Sequence, residues 1–183
     1  VEEIHRNAAR GFTSVTMPER PHAVGLPNLW DREFWDPIKN YWANPSKENG
    51  DKLRGFLTLD ATKWQFTHGT QKPEQVSPDN YWHVQYLLDR KGNQNVQLKL
   101  FLSYGTNVAE YPKWQALFRK HQIPTLLMWG KNDHIFPADG AHPYKRDLKN
   151  LEFHLLYTGH VALEEYGGKI AGRMIEFMDP TTQ

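Results

Sequence analysis

The chain has 183 residues, of which 39% are apolar and 13% aromatic, and this predicts one ordinary hydrophobic core or a small core with a helical annex. Its 22 basic and 21 acidic side chains nearly cancel and are scattered along the sequence, which argues against nucleic acid as a partner. The absence of cysteine excludes disulfides, thiolate zinc sites and a cysteine nucleophile.

Neither a membrane span nor a leader peptide is indicated. No run approaches the roughly 18 consecutive apolar residues that a spanning helix needs. The amino-terminal sequence VEEIHRNAARGF lacks the apolar centre of a signal peptide. We therefore expect a cytoplasmic protein that does not contact a membrane.

Short helices with one apolar face are predicted between residues 26 and 121. Ser46 is a plausible cap for a helix that runs through Leu57, and Ser77 opens another that carries Trp82 and Tyr86. Two more helices follow before His121. The first predicted helix has its apolar residues at helical spacing, namely Phe34, Trp35, Ile38, Tyr41 and Trp42.

After Gln122 the pattern changes to alternating strands and helices. Unbroken apolar runs at Ile123 to Gly130 and Phe153 to Tyr157 have the length of strands. A helix is predicted between them, roughly Ala138 to Leu148, and an amphipathic helix follows the second strand. This order predicts a parallel sheet, buried on both faces, with right-handed crossovers.

Two segments, PTLLMWGKNDHIFP and FHLLYTGHVALEE, each run from an apolar stretch to Asp133 or His160. They resemble the penultimate strand with its acid turn and the last strand with its histidine loop in the α/β-hydrolase fold, in the branch that contains epoxide hydrolases and haloalkane or haloacid dehalogenases. TKWQFTHG and YGTNVAEYPKWQALFRKHQ are similar to that branch's helical cap. The resemblance covers residues 25 to 180 and implies a partial α/β fold, a helical cap followed by the last two parallel strands and their helices.

The resemblance implies catalytic roles for Asp133 and His160, which follow the two strands. In this fold the order along the chain is nucleophile, acid, histidine, and strand ends present all three at one edge of the sheet. Asp133 would orient the imidazole, and His160 would act as general base on a nucleophile or a water. Alternatively, Asp133 only begins a turn and His160 only caps the last helix.

A nucleophile is not recognisable in the sequence. The elbow that presents it needs small residues around a serine or aspartate between a strand and a helix. Ser14 has its glycine in the wrong place, Ser103 is predicted on a cap helix, and Asp60 is predicted to start a helix. The dipeptide His68–Gly69 resembles an oxyanion-hole motif, but it follows the first cap helices, so we interpret it as a cap loop.

The predicted organisation has three parts: an atypical segment 1–25, a cap-like region 26–121 and an α/β core segment 122–183. In segment 1–25, Glu2 to Arg10 could form a helix and Phe12 to Met17 a strand beside Ile123, or the segment is unrelated or disordered. The sheet edge at Ile123 would otherwise be open, and an open apolar edge favours association. The expected partners are therefore another copy of the chain or a complementing amino-terminal chain.

Three functions remain open. The first is a truncated or degenerate α/β hydrolase, whose ancestral activity is hydrolysis of an ester, an epoxide or a carbon–halogen bond. The second is a non-catalytic module that binds a small apolar ligand or a protein. The third is an assembly subunit that pairs through its open sheet edge. The predicted pocket residues, which could equally be core, are Trp35, Trp64, Trp82 and His134. No cofactor is expected, and no histidine spacing favours a metal site.

Overall fold

The computed structural model describes residues 34–179. Within them, helices occupy the sequence up to His121, and two strands alternate with helices after it. The helix predicted over Glu2 to Arg10 and the strand predicted over Phe12 to Met17 lie outside the described residues. They stay predictions, as does the division into segments 1–25, 26–121 and 122–183.

The helical region, residues 34–121, matches the predicted series of short helices. The α-helix expected to run through Leu57 ends at Leu53, and residues Arg54–Leu57 form a 3₁₀ turn instead. The α-helices in the described part of this region are α1 Asp36–Ala43, α2 Lys47–Leu53, α3 Leu59–Thr67, α4 Pro78–Leu88, α5 Asn93–Tyr104 and α6 Asn107–His121.

Side-chain caps fix where two of these helices begin. The Ser46 hydroxyl accepts a hydrogen bond from the backbone N–H of Asn49 at 3.2 Å and begins α2, so the predicted cap is confirmed. The Thr58 hydroxyl accepts from Ala61 at 3.4 Å and begins α3. Local sequence therefore determines both starting points.

The α/β region, residues 122–179, contains strand β1 at Thr125–Gly130, strand β2 at Leu151–Leu156 and a final helix α8 at Leu163–Met178. The helix predicted over 138–148 is wrong. It is replaced by a 3₁₀ turn at Ala138–Gly140 and a four-residue helix α7 at Tyr144–Asp147. Pro143 has no N–H to donate to a preceding turn, which disfavours a continuous helix across this position.

The two strands pair in parallel, from Thr125 opposite Leu151 to Gly130 opposite Leu156. The predicted parallel order is confirmed. Burial on both faces is not, because within the described residues the strands are only half-buried except at Leu127, Gly130 and Leu156. The carboxyl ends of β1 and β2 consequently lie side by side at one edge of the sheet.

Each region has its own apolar core, and Trp35 joins the two regions. The Trp35 indole N–H donates to the Ile135 carbonyl at 2.8 Å, and its ring lies 5.8 Å from that of Phe136. This contact fixes α1 over the end of β1. The buried centre of the helical core is Ile38, Leu53 and Leu98, and that of the α/β core is Leu127, Ala141, Tyr144 and Leu148.

Candidate active site

The turn that follows β1, residues 131–137, holds the carboxylate of Asp133 in a fixed position. We call it the acid turn. One carboxylate oxygen, Oδ1, accepts hydrogen bonds from the backbone N–H groups of Ile135 at 2.8 Å and Phe136 at 2.9 Å. Asp133 is 7% exposed. Because both N–H groups belong to the same turn as the carboxylate, the local sequence alone can fix the side-chain direction.

The loop that follows β2, residues 157–162, brings His160 to this carboxylate. We call it the histidine loop. His160 Nδ1 lies 3.0 Å from Asp133 Oδ2, across 27 positions of sequence. An ionised carboxylate only accepts hydrogen bonds, so Nδ1–H donates to it and Nε2 is left for chemistry. The structure thus brings together the two residues that the sequence predicted, in the geometry in which a carboxylate orients an imidazole.

The acid turn and the histidine loop touch through their backbones. The N–H of Asn132 donates to the carbonyl of Thr158 at 3.0 Å. A Cβ on Gly130 would lie 2.2 Å from the Gly159 carbonyl oxygen, and a Cβ on Gly159 would lie 1.9 Å from the carbonyl oxygen of His68. Only glycine allows such close approaches, so these two glycines are needed for the spacing between Asp133 and His160.

An apolar cavity of about 270 Å³ opens beside His160. The predicted pocket residue Trp35 is one of its walls. Among its lining residues, His160 and Tyr104 carry titratable groups, and Gln65 and Gln97 carry amides. The remaining walls are Phe34, Ile38, Phe56, Leu100, Phe101, Ile135 and Phe136.

A second, polar cavity of about 600 Å³ lies on the other side of the acid turn. It is lined by His68, Lys131, His134 and His142, among others. The rings of His68 and His134 are 4.4 Å apart in an edge contact. Burial lowers the pKa of His68, and the neighbouring charge of His134 lowers it further. Protonation of His68 is therefore disfavoured, and the same cavity is also lined by Asp133 and Asp139.

The predicted pocket residues fall in different places. Trp35 reaches the apolar cavity, and the exposed His134 lines the polar one. Trp64 stacks on His68 with their rings 4.5 Å apart. Trp82 is 55% exposed on α4 and lines neither cavity. The sequence analysis did not single out Phe136, whose ring is 5.3 Å from His160. Its position three residues after Asp133 could have indicated that it lies near the site.

The two nucleophile candidates within the described residues, Asp60 and Ser103, lie on helices and not at a strand end. Asp60 is exposed in the first turn of α3, as predicted, and Ser103 is exposed near the end of α5, also as predicted. Ser14 lies outside the described residues. His68 and Gly69 follow α3 in a loop, as predicted, but this loop contacts the acid turn, since Asn132 Nδ2 donates to the Gly69 carbonyl at 2.9 Å.

Within residues 34–179, no group of three or more histidine and acidic side chains is arranged to hold a metal ion. In the same part of the chain, no helix is both long and apolar enough to cross a membrane. The candidate site is therefore built around the Asp133–His160 pair and the two cavities beside it.

Comparison with known proteins relates the chain to hydrolases, although no family model matches it. It is 36% identical over 164 residues to a Saccharomyces cerevisiae protein described as "Uncharacterized hydrolase YNR064C", covering 88% of this chain and 55% of the relative. The chain is a relative of hydrolases. It is also 31% identical over 97 residues to human monoacylglycerol lipase ABHD6, covering 52% of this chain and 28% of the lipase.

One further relative is a hydrolase, and one solved structure resembles the fold. A Paraburkholderia phymatum 2-hydroxy-6-oxononadienedioate/2-hydroxy-6-oxononatrienedioate hydrolase is 23% identical over 142 residues, which is 77% of this chain and 44% of the relative. The crystal structure of Cfl2 from Burkholderia cenocepacia resembles this fold with a TM-score of 0.61 and 17% identity, over 91% of this chain and 52% of that one. The α/β-hydrolase superfamily is thus supported. The chain spans about half the length, or less, of the curated relatives it matches.

Proposed function

We propose that this chain carries the acid and the base of a hydrolase active site, with Asp133 as the acid and His160 as the base. The observation that carries the proposal is the 3.0 Å hydrogen bond between a buried aspartate and a histidine that also lines an apolar cavity. The kinship with hydrolases supports the same assignment.

In the proposed reaction, His160 Nε2 takes a proton from the attacking group, either a nucleophilic side chain or a water molecule. The positive charge that develops on the imidazole is stabilised by the Asp133 carboxylate, which also keeps Nε2 directed toward the cavity. The two backbone N–H groups on Oδ1 prevent the carboxylate from turning away. The pair is therefore preorganised before any substrate binds.

The nucleophile is proposed to come from outside residues 34–179. The two strands within that range lead into the acid turn and the histidine loop, so in the described part no further strand end presents a side chain to His160. The relatives extend well beyond the matched segment. A nucleophile from residues of that kind, in the same polypeptide or in a complementing chain, would complete the site.

The proposed substrate is a small apolar ester or epoxide. The cavity walls are mostly aromatic, and its volume of about 270 Å³ fits a small organic molecule. Cleavage of a carbon–halogen bond would release a halide ion, which needs N–H donors. The Trp35 indole N–H already donates to Ile135, so it is not available for that role. Tyr104 lines the same cavity, and its hydroxyl oxygen is buried.

Hydrolysis of p-nitrophenyl acetate by the purified chain tests this function, because an activated ester needs only a base and water. We expect His160→Ala to lower the rate about 100-fold, the scale of general-base catalysis. Asp133→Asn should lower it as well, since the imidazole loses its orientation. His83→Ala, an exposed histidine on α4, is the matched control. Equal rates in the His160 and His83 variants would contradict the proposal.

An assembly role is the second candidate, and the surface of α8 favours it. Leu163, Ile175 and Met178 are large apolar side chains that are 64%, 71% and 61% exposed. The half-buried strands of the open sheet lie in the same region. Apolar surface of this kind marks association sites. Light scattering of the same preparations separates a self-associating chain from a monomer, and adding an amino-terminal fragment of a relative tests complementation.

A further inference from the structure

The segment between α3 and α4, residues 68–77, crosses both loops of the candidate site. We call it the strap. At its start, the carbonyl of Gly69 accepts a hydrogen bond from Asn132 Nδ2 in the acid turn at 2.9 Å. Gly69 has a φ of 82°, and a Cβ there would lie 2.5 Å from the Asn132 carbonyl oxygen. Only glycine meets both conditions without strain, so the strap is closely fitted to the acid turn.

Gln71 then attaches the strap to both sides of the histidine loop. Its side-chain Nε2 donates to the Tyr157 carbonyl at 2.8 Å and to the Tyr166 hydroxyl at 2.7 Å. Its backbone N–H donates to Glu165 Oε1 at 2.9 Å. Tyr157 precedes His160, whereas Glu165 and Tyr166 follow it. One residue of the helical region is therefore bonded to the chain before and after the proposed base.

Neighbouring residues strengthen this attachment. The N–H of Lys72 donates to the same Glu165 oxygen at 3.0 Å. At the start of α4, Asn80 Nδ2 donates to Glu164 Oε2 at 2.7 Å. The His68 carbonyl packs directly against Gly159, the residue before His160. The strap and the start of α4 thus contact the histidine loop and the beginning of α8 at several points.

We propose that Gln71 is a positioning residue, which holds the histidine loop so that His160 Nδ1 stays on Asp133. This inference rests on the proposed function of the pair. Gln71 lies at the surface, so water can replace its hydrogen bonds when it is removed, and the fold is expected to persist. Water cannot hold the two ends of the loop at a fixed separation, however, and catalytic rates respond steeply to sub-ångström displacements of the reacting groups.

The test compares Gln71→Met, which keeps the side-chain volume without the amide, with Gln75→Ala, an exposed glutamine on the same strap. The first measurement is the low-field NMR resonance of the His160 Nδ1 proton in ¹⁵N-histidine-labelled chain. It reports the hydrogen bond to Asp133 independently of turnover. We expect this resonance to broaden or disappear in Gln71→Met and to persist in Gln75→Ala, with similar thermal midpoints for the two variants.

The second measurement is p-nitrophenyl acetate hydrolysis. We expect kcat to fall about 10-fold in Gln71→Met, with KM changed less than about 2-fold, because positioning affects the reacting geometry more than binding. An unchanged resonance and an unchanged kcat would overturn the inference. Should Gln71→Met fail to fold, Tyr166→Phe removes a hydroxyl that accepts from Gln71 Nε2 and repeats the comparison.

The two proposals fail in different ways. In one outcome, the Nδ1 resonance is lost in Gln71→Met but the hydrolysis rate is unchanged in His160→Ala. This would retain the positioning role of Gln71 and reject the catalytic role of His160. A rate that depends on His160, with both readouts unaffected by the loss of Gln71, would retain the catalytic role and reject the positioning one.

Discussion

The helical region and the α/β region bury their polar groups in different ways. In the helical region two contacts join neutral groups: the Thr62 hydroxyl donates to Gln85 Oε1 at 2.8 Å, and the Trp42 indole donates to the Phe101 carbonyl at 2.7 Å. In the α/β region two of the buried polar side chains are carboxylates. Asp133 accepts from backbone N–H groups and bonds His160, and Asp147 is held between two arginines.

This difference separates the tasks of the two regions. Neutral hydrogen bonds fasten helices together without introducing a charge beside an apolar cavity. Carboxylates supply strong acceptors, and they require donors fixed by the fold because an unpaired buried charge is costly. The α/β region therefore contributes the proposed chemistry. The helical region contributes the apolar walls of the cavity and the strap, which contacts the acid turn and the histidine loop.

The largest expected effect is at Gly159, where the α/β region packs against His68 of the helical region. We call this contact the seam. Gly159→Ala would place a methyl group 1.9 Å from the His68 carbonyl oxygen, so the backbone must move. We expect a loss of about 3 kcal/mol in the free energy of unfolding, the upper end of overpacking effects. Urea denaturation measures it.

Gly168→Ala is the control for that variant. A Cβ on Gly168, within α8, meets nothing within 4 Å. Alanine favours a helix over glycine, so this variant should gain about 0.5–1 kcal/mol. Equal stability of the two alanine variants would show that the seam is not tightly packed.

The next effect in size concerns the buried charge of the α/β region. Asp147 is 2% exposed and accepts from Arg119 at 2.9 Å and Arg146 at 2.6 Å. Burial alone would raise the pKa of Asp147, but the arginine hydrogen bonds outweigh it and hold the pKa below its ordinary value. We expect Asp147→Asn to cost about 2 kcal/mol at neutral pH.

The pH dependence of this cost follows from the direction of the pKa shift. Because the pKa of Asp147 is lower in the folded state than the unfolded-state value of 3.8, its ionised form stabilises the fold at every pH above 3.8. This stabilisation disappears as the pH falls through the pKa of the folded state. The difference between the unmodified chain and Asp147→Asn should therefore be constant from pH 5 to 7 and shrink below pH 3.8. A difference that does not shrink as the pH falls below 3.8 would contradict the ionic interpretation.

The smallest effect is expected for a neutral contact of the helical region. Thr62 is 2% exposed and its hydroxyl donates to the buried Gln85. Thr62→Val keeps the shape and leaves Gln85 Oε1 without this donor, at a cost of about 1 kcal/mol. Because neither group titrates, denaturation midpoints should show the same loss from pH 4 to 8. A loss that varied with pH would remove the contrast between the regions.

Sequence reasoning worked where short-range interactions decide the structure. The Ser46 cap, both strands and the turn that begins at Asp133 depend on neighbours within a few positions, and each was predicted. It failed across residues 138–148, where apolar content indicated a helix but Pro143 interrupts it. Trp82 stays a predicted pocket residue, because aromatic residues at helical spacing do not reveal which side of the helix is covered.

The sequence by itself determined that Asp133 and His160 follow adjacent parallel strands, because strand order and the direction of the chain place such residues at one edge of a sheet. The tertiary structure alone decided that Trp35 and Phe136 share a cavity with His160. It alone also decided that Gln71 reaches across to Tyr157, Glu165 and Tyr166. These contacts join residues 86 to 95 positions apart, and their geometry depends on how whole elements pack, which no local pattern of residues encodes.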